Sequence, residues 1–115
     1  MNPISTQSAA ISGMSLQASR VGVSANNVAN LQTEGFRASR VRAEERAGGG
    51  VRGRVEDADA TARMAFKDGS VKTLSNTDIA EESVERSDAA NSFKANAAVV
   101  KSSDRMLGTL IDIFA

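Results

Sequence analysis

The chain has 115 residues, which is one domain at most, and its 14 basic and 14 acidic side chains give a formal net charge of zero. A balanced charge gives no overall preference for a polyanion or a membrane surface. The absence of cysteine and histidine excludes thiol and imidazole catalysis, disulfides and zinc–thiolate sites, so neither a metal nor a cofactor is expected.

The first predicted element is a helix over residues 4–30. Ile4 and Ile11 begin one row of a seven-residue repeat, and Met14, Val21 and Val28 form a second row three residues later. This a/d pattern predicts packing against other helices. The plainer interpretation is a weak amphipathic helix on a small core. The remaining surface carries Ser, Thr, Gln and Asn instead of Lys and Glu, which favours a helix surrounded by neighbours.

The stretch SANNVANLQTEGFR is expected to end this helix. Asn30 suits the C-cap because asparagine tolerates the left-handed conformation found there. Gly35 is expected to take a positive φ angle and to end the helical arm, which lets Phe36 turn back onto the apolar stripe. Asn26 and Asn27 lie within the helix and lower its propensity. Their amides are therefore expected to bond to partner helices and fix register.

The middle of the chain has β signals. Residues 37–47 suit a strand or a short helix, and GGG at 48–50 is a flexible break. VRGRVE at 51–56 alternates apolar and basic residues, as a strand does. Residues 62–74 form a hairpin candidate around the favoured turn pair Asp-Gly.

That hairpin candidate has a predicted register. The turn pair Asp68–Gly69 places Phe66 opposite Val71 and Met64 opposite Thr73. These cross-strand pairs would form one apolar face.

The last segment begins with a helix-start signal. Asp78 is the expected N-cap with Glu81 as its capping-box partner, and the acids that follow, Glu82 among them, suit the positive end of the helix dipole. Apolar residues then repeat every seven positions at Phe93, Val100, Leu107 and Phe114. An offset row contains Asn96 and Leu110. Helices of about 27 and 36 residues would be roughly 40 and 54 Å long, which predicts an elongated molecule.

Two blocks resemble the bacterial flagellar rod and hook axial proteins, especially the small proximal rod proteins. SANNVANLQTEGFRASRV at 24–41 is similar to the family pattern Asn-Asn-(aliphatic)-Ala-Asn-x-x-Thr-x-Gly-(Phe/Tyr). NTDIAEESVERSDAANSFKANAAVVKSSDRMLGTLIDI at 76–113 is similar to the family's C-terminal block. Ser83 stands where the family usually has methionine, and Phe93 where it often has tyrosine. The short middle points to a proximal-rod-type or divergent member.

The resemblance implies a mainly α fold with a small β element. Long N- and C-terminal helices would pair as an antiparallel coiled coil in an inner tube, with a short hairpin-containing middle outside. One structural unit would comprise a helical arm with its turn (1–35), a short β-rich segment (36–75) and a C-terminal helix (76–115).

The implied function is a structural subunit of the flagellar basal-body rod. The subunit would self-assemble through its terminal helices with its own copies and other rod and hook proteins. It would be exported by the flagellar type III apparatus into the periplasmic rod without signal cleavage. This agrees with an N-terminus, MNPISTQSAA, that lacks secretory-signal features, and with the absence of an apolar run long enough to span a membrane.

The residues expected at the assembly interface combine the apolar rows with the amides. They are Ile4, Ile11, Met14, Val21, Asn26, Asn27, Val28, Asn30, Phe93, Asn96, Val100, Leu107, Leu110, Ile111 and Phe114. Gly35 and Phe36 are expected at the turn.

The residue pattern gives less support to two other functional classes. An enzyme is not indicated, because the available carboxylates, serines, lysines and arginines show no spacing typical of a catalytic site. A small nucleic-acid-binding module is the alternative, since residues 37–54 hold six arginines against two glutamates. Aromatic stacking partners and a recognition-helix motif are missing there, so no nucleic-acid partner is expected.

Overall fold

Two long helices frame two β-hairpins in the computed structural model, which describes residues 2–58 and 61–115. The elements in chain order are α1 (Pro3–Ala29), β1 (Ser39–Glu45), β2 (Val51–Asp57), β3 (Arg63–Lys67), β4 (Ser70–Leu74) and α2 (Ile79–Phe114). The predicted mainly helical fold with a small β element is confirmed. The molecule measures 78 × 25 × 14 Å, which also confirms the elongated shape expected from helices of 27 and 36 residues.

Local side-chain bonds set the ends of both helices. Asn2 caps α1 by accepting a hydrogen bond from the Ser5 N–H at 2.7 Å. Asp78 caps α2, as predicted, through bonds from the N–H groups of Ala80 and Glu81. The reciprocal half of the capping box is not formed, since the Glu81 carboxylate instead contacts Arg40 at 2.7 Å.

The end of α1 differs in two respects from the prediction. Asn30 is the C-cap, but its φ of −101° is not left-handed. Its backbone N–H and its side-chain amide both donate to the Asn26 carbonyl, so that carbonyl is satisfied without a left-handed residue. Gly35 does have the predicted positive φ, 73°, but it lies in the loop beyond the C-cap and does not end the helix. Its N–H donates to the Thr73 carbonyl at 2.8 Å and thereby ties this loop to β4.

Replacing Gly35 by valine should destabilise the chain. A β-branched residue strongly disfavours a φ of 73°, and such backbone strain costs about 1–3 kcal/mol. Urea unfolding of Gly35→Val measures this loss. Gly35→Asn is the matched control, because asparagine tolerates positive φ and should retain most of the stability. Equal stability of the two variants would contradict a conformational role for Gly35.

The first hairpin pairs β1 with β2 in antiparallel register, with Val41 opposite Val55. The Arg46 N–H donates to the Gly50 carbonyl at 3.0 Å, and all three glycines of the turn have positive φ. Of the two alternatives predicted for residues 37–47, a strand or a short helix, the structure therefore has the strand. The glycines at 48–50 close a hairpin, so the prediction of a flexible break between segments is wrong.

Glycine lets this hairpin lie directly on α1. A Cβ at Gly53 would be 2.8 Å from Val41 Cγ1 and 3.1 Å from Leu16 Cδ1, distances too short for any other residue without movement. The Ser12 hydroxyl of α1 accepts a hydrogen bond from the Val51 N–H at 3.0 Å. Together, the close approach and the hydrogen bond fix β2 against the first half of α1.

The second hairpin confirms the predicted register, with Phe66 opposite Val71 and Met64 opposite Thr73. Asp68 and Gly69 have φ angles of 52° and 78°, as a two-residue turn requires. The apolar face nevertheless lies open, since Met64 is 69% and Phe66 76% exposed. Within the described residues, β3 and β4 pack on each other and on no other helix or strand.

Small and polar residues form the seam between the helices. Gln7 Nε2 donates to Asp104 Oδ1 at 2.8 Å, and the Ser24 hydroxyl donates to the Glu82 carbonyl at 3.2 Å. Residues early in α1 thus contact residues late in α2, and residues late in α1 contact residues early in α2. Buried positions of α1 recur on one helix face at Ala10, Gly13, Gln17, Ser24 and Asn27. On α2, the buried residues Glu82, Ala89 and Ser103 share a seven-residue spacing with Asn96, which is half-buried.

Gly13 and Gly22 are helical glycines with different surroundings. A Cβ at Gly13 would lie 2.6 Å from Asn96 Nδ2, whereas one at Gly22 would have no described atom within 4 Å apart from the adjacent backbone of its own helix. Gly22→Ala should therefore stabilise α1 by up to about 1 kcal/mol through helix propensity. Gly13→Ala should lose that gain because Asn96 must move, and the double variant Gly13→Ala, Asn96→Ala should restore it. Thermal unfolding of the native chain and these three variants tests this, and equal gains at both glycines would exclude a steric role for Gly13.

Candidate assembly site

A cluster of buried polar groups joins the end of α1, the start of β1 and the first turns of α2. We call this cluster, formed by Asn27, Arg40, Glu82 and the backbone of Ser39, the polar junction. Asn27 is fully buried, and its amide bonds both backbone groups of Ser39: Oδ1 accepts from the N–H at 2.9 Å and Nδ2 donates to the carbonyl at 2.8 Å. Asn27 Nδ2 also donates to Glu82 Oε1 at 3.1 Å. One amide thus satisfies three groups on two other segments.

Glu82 brings a buried charge into the polar junction. Its side chain is 0% exposed, and its Oε1 accepts from Arg40 Nη1 at 2.7 Å. Arg40 Nη2 contacts Glu81 at the same distance, but the Glu81 side chain is 63% exposed. Burial of the Arg40 guanidinium opposes its charged form, yet the bonds and charges of Glu82 and Glu81 outweigh that effect and raise the pKa of Arg40 above its ordinary value. The Arg40 guanidinium therefore keeps its positive charge at neutral pH.

A second buried amide, that of Asn76, links the segment before β1 to the segment before α2. Asn76, which precedes α2, accepts a hydrogen bond from the Ala38 N–H at 2.6 Å through Oδ1. Its own N–H donates to the Phe36 carbonyl at 3.3 Å. Phe36 is half-buried in this arrangement. The two ends of the middle segment are thus bonded to each other directly before α2 begins.

The predicted interface residues divide by exposure. Those exposed on the single chain are Ile4, Ile11, Val21, Asn26, Phe93, Leu110, Ile111 and Phe114. Those half-buried are Met14, Val28, Asn30, Asn96, Val100 and Leu107. Asn27 is fully buried, and its amide bonds to Glu82 of α2, so the partner helix that it contacts belongs to the same chain.

The large apolar residues lie outside the helix seam. Ile4 and Ile11 of α1 point away from the buried face, and Phe114 near the end of α2 is 86% exposed. A further exposed row at seven-residue spacing, Val99, Met106 and Ile113, was not predicted as part of the interface. Its spacing in the sequence is the signal that would have identified it.

The arginines of residues 37–54 mostly pair with carboxylates of the same chain. Arg42 contacts Glu56, and Arg52 contacts Glu44 at 2.9 Å. Arg54 contacts both of these glutamates. Arg52 holds the pKa of the Glu44 carboxyl below its usual value. Carboxylates of the same chain therefore offset much of the charge of the basic segment.

Across residues 2–58 and 61–115, no group of three or more acidic side chains is placed to hold a metal ion. Over the same ranges, neither helix is both long and apolar enough to cross a membrane.

Sequence reasoning assigned Glu82 only to the helix dipole and missed its role in the polar junction. An acidic residue at the start of a helix is usually solvated, and its burial depends on Arg40, which is distant in sequence. The usable signal was that Asn27 and Glu82 each fall in one of the two blocks that resemble a known family.

Two family models match the chain. Residues 8–37 match the model described as "Flagella basal body rod protein", and residues 70–113 match the model described as "Flagellar basal body rod FlgEFG protein C-terminal". A comparison with individual curated proteins gave no match. Asn27 and Glu82 lie in the first and second matched segments, and together these segments cover more than half of the chain. The chain therefore belongs to the flagellar rod and hook axial protein family, as a structural component of the flagellar basal body.

Proposed function

We propose that this chain is a rod subunit that assembles with its own copies and with other axial proteins through α1 and α2. The observation that carries the proposal is the placement of side chains on the helices. Small and polar groups fill the seam within the chain, whereas Ile4, Ile11 and Phe114 face outward. These exposed side chains contribute no burial and therefore no hydrophobic stabilisation to a single chain in water.

Assembly would bury these outward-facing apolar side chains between neighbouring helices. Complete burial of one Ile or Phe side chain stabilises by about 1.5–3 kcal/mol. The outward residues recur at seven-residue spacing on both helices, which is the spacing that neighbouring helices require. In this proposal, α1 and α2 pair as an antiparallel coiled coil, and each such pair packs against others in a tube.

The proposal divides the chain into three functional parts. Residues 1–35 and 76–115 form the assembling helices, and residues 36–75 form a β-rich segment outside the tube. The polar junction sets the angle between these parts. Family membership supports the further proposal that the flagellar type III apparatus exports the chain into the periplasmic rod without signal cleavage.

The test replaces outward apolar residues without disturbing the helix seam. A strain lacking the native gene is complemented with the double variant Ile4→Gln, Ile11→Gln or with the control Lys94→Gln, which changes an exposed polar residue of α2. The double variant should fold with the unfolding free energy of the native chain to within about 1 kcal/mol, since both sites are exposed. It should nevertheless be missing from isolated basal bodies, and the cells should be non-motile. Full motility of the double variant would refute assembly through α1.

A further inference from the structure

A cleft of about 390 Å³ separates the loop that follows α1 from one face of the second hairpin. We call it the basic cleft. Its walls include Leu31 of the loop, Arg63 and Lys67 of β3, Leu74 of β4, and Ser75 and Thr77 of the link to α2. Because side chains alternate along a strand, this face of the hairpin is the one opposite the exposed Phe66.

The side chains of the basic cleft give it a positive charge. Arg63 and Lys67 share one face of β3, and Lys72, which pairs with Ala65, lies on the same face. Lys72 contacts Glu34 at 3.4 Å, and this carboxylate offsets its charge. Among the residues that the structure describes, no carboxylate forms an ion pair with Arg63 or Lys67. These two cations therefore supply the positive charge of the cleft.

A buried hydroxyl pair in the cleft has a proton to donate. The Ser75 hydroxyl donates to Thr77 Oγ1 at 3.0 Å and accepts from the Thr77 N–H at 3.2 Å. Two hydroxyls hold two protons and this arrangement uses one, so one O–H has no acceptor within residues 2–58 and 61–115. Ser75 is 5% and Thr77 1% exposed, and a buried donor without an acceptor is unfavourable. The site therefore calls for an acceptor oxygen.

These features fit a carboxylate that is carried by a peptide. A carboxylate accepts charge-assisted hydrogen bonds from guanidinium, ammonium and hydroxyl groups, and these bonds are about twice as strong as neutral ones. Leu31 and Leu74 line the same cleft, and Leu74 is 37% exposed. A free anion would leave these leucines uncovered. A segment with an acidic residue close to an apolar one would use both parts of the cleft.

The first turns of α2 expose such a segment. Residues 78–92 contain five acids and one base. Val84 and Asp88 are one helical turn apart and therefore on one face of α2, and both are exposed. None of the described ion pairs involves Asp88. Asp88 lies about 16 Å along the chain's helical path from Thr77, which is too far for the cleft of its own chain.

We propose that the basic cleft of one copy binds the exposed start of α2 of a second copy of this chain. Asp88 of one copy would lie between Arg63 and Lys67 of the other, and Val84 would cover the leucines of the cleft. The inference rests on the proposed assembly of copies and adds a contact outside the α1 surface. The two surfaces differ, so the contact is heterologous and can repeat along an open assembly.

Cysteine cross-linking tests the contact directly, because the native chain has no cysteine. Gln32→Cys places a thiol in the lining of the cleft, and Val84→Cys places one on the exposed side of α2. A mixture of these full-length single variants should give mixed disulfide dimers in excess of either homodimer on mild oxidation. Adding Arg63→Gln and Lys67→Gln to the first variant should lower the yield by about tenfold or more. Homodimers as abundant as mixed dimers, or a yield unchanged without the two cations, would overturn the proposal.

Charge reversal tests which groups pair. Asp88→Lys alone and the double variant Arg63→Glu, Lys67→Glu alone should each self-associate less than the native chain in sedimentation. A mixture of the two should associate again, because each cleft then meets a surface of opposite charge. The control variant Lys94→Glu, Lys101→Glu reverses two exposed bases of α2 and should associate as the native chain does.

Two results of the sedimentation experiment would contradict the contact. One is a mixture that stays as dissociated as its two components. The other is a native chain that remains monomeric up to about 1 mM, since a contact weaker than this contributes little to an assembly.

Failure of this contact is distinguishable from failure of the proposed function. The cleft contact should weaken as salt rises, whereas burial of Ile4 and Ile11 should not. The variant Ile4→Gln, Ile11→Gln leaves the cleft intact and should still form the mixed disulfides. A motile Arg63→Glu, Lys67→Glu strain beside a non-motile Ile4→Gln, Ile11→Gln strain would refute the cleft contact and leave assembly through α1 standing.

Discussion

Replacing Glu82 by alanine is expected to cost about 2–4 kcal/mol of unfolding free energy, because it removes the buried carboxylate that pairs with the partly buried Arg40 guanidinium and bonds the Asn27 amide. Glu82 is fully buried and bonds to Arg40 at 2.7 Å and to Asn27 at 3.1 Å. Arg40 keeps its contact with Glu81, which limits the loss. Urea unfolding followed by circular dichroism measures the change.

The chain provides a matched control for this prediction. Glu81 contacts the same guanidinium at the same distance of 2.7 Å, but its side chain is 63% exposed. Exposed ion pairs contribute only about 0–1 kcal/mol, so Glu81→Ala should lose far less than Glu82→Ala. The two carboxylates share Arg40 as partner at the same distance and differ in burial and in the additional bond of Glu82 to Asn27. Equal losses would show that burial does not determine the strength of the polar junction.

Asn27→Ala should also destabilise strongly, by about 2–4 kcal/mol, because each buried polar group left without a partner costs about 1–3 kcal/mol. The substitution removes the bonds to both backbone groups of Ser39 and one bond to Glu82. Asn26→Ala is the matched control. The Asn26 side chain is exposed, so its replacement by a better helix former should be neutral or slightly stabilising.

The same two sites also allow a coupling measurement. Asn27 and Glu82 share a hydrogen bond, so the double variant Asn27→Ala, Glu82→Ala should lose less than the sum of the two single losses. Strict additivity would mean that the two side chains act independently and that the polar junction is not one network.

Local signals in the sequence predicted most of the fold. The Asp68–Gly69 pair fixed the turn and therefore the register of the second hairpin, and Asp78 fixed the start of α2. Gly35 was correctly predicted at positive φ, but its place relative to the helix end was not. The helix ends at Ala29, beyond which the Leu31 N–H donates to the Val28 carbonyl and the Thr33 N–H to the Asn30 carbonyl in place of helical bonds.

The inner face of α1 was not predictable from hydrophobic periodicity. The heptad rule assumes that the largest apolar side chains face the partner helix. Here Gly13 and Ser24 meet α2, and Ile4 and Ile11 face outward. Asn26 and Asn27 are likewise equivalent by residue type and differ only in tertiary surroundings. Their roles depend on Ser39 and Glu82, which only the folded chain brings near.

The arrangement of the helix seam has a mechanical consequence. Among the described residues, Gln7–Asp104 is the hydrogen bond between the two helices that lies farthest from the polar junction, whereas Asn27–Glu82 lies within that junction. A force on the first turn of α1 would therefore load these contacts one after another and reach Asn27 last. Breaking contacts in sequence needs a lower peak force than breaking them together, so the chain should be easily drawn out from this end. Single-molecule pulling should show one late force peak, and Glu82→Ala should abolish it.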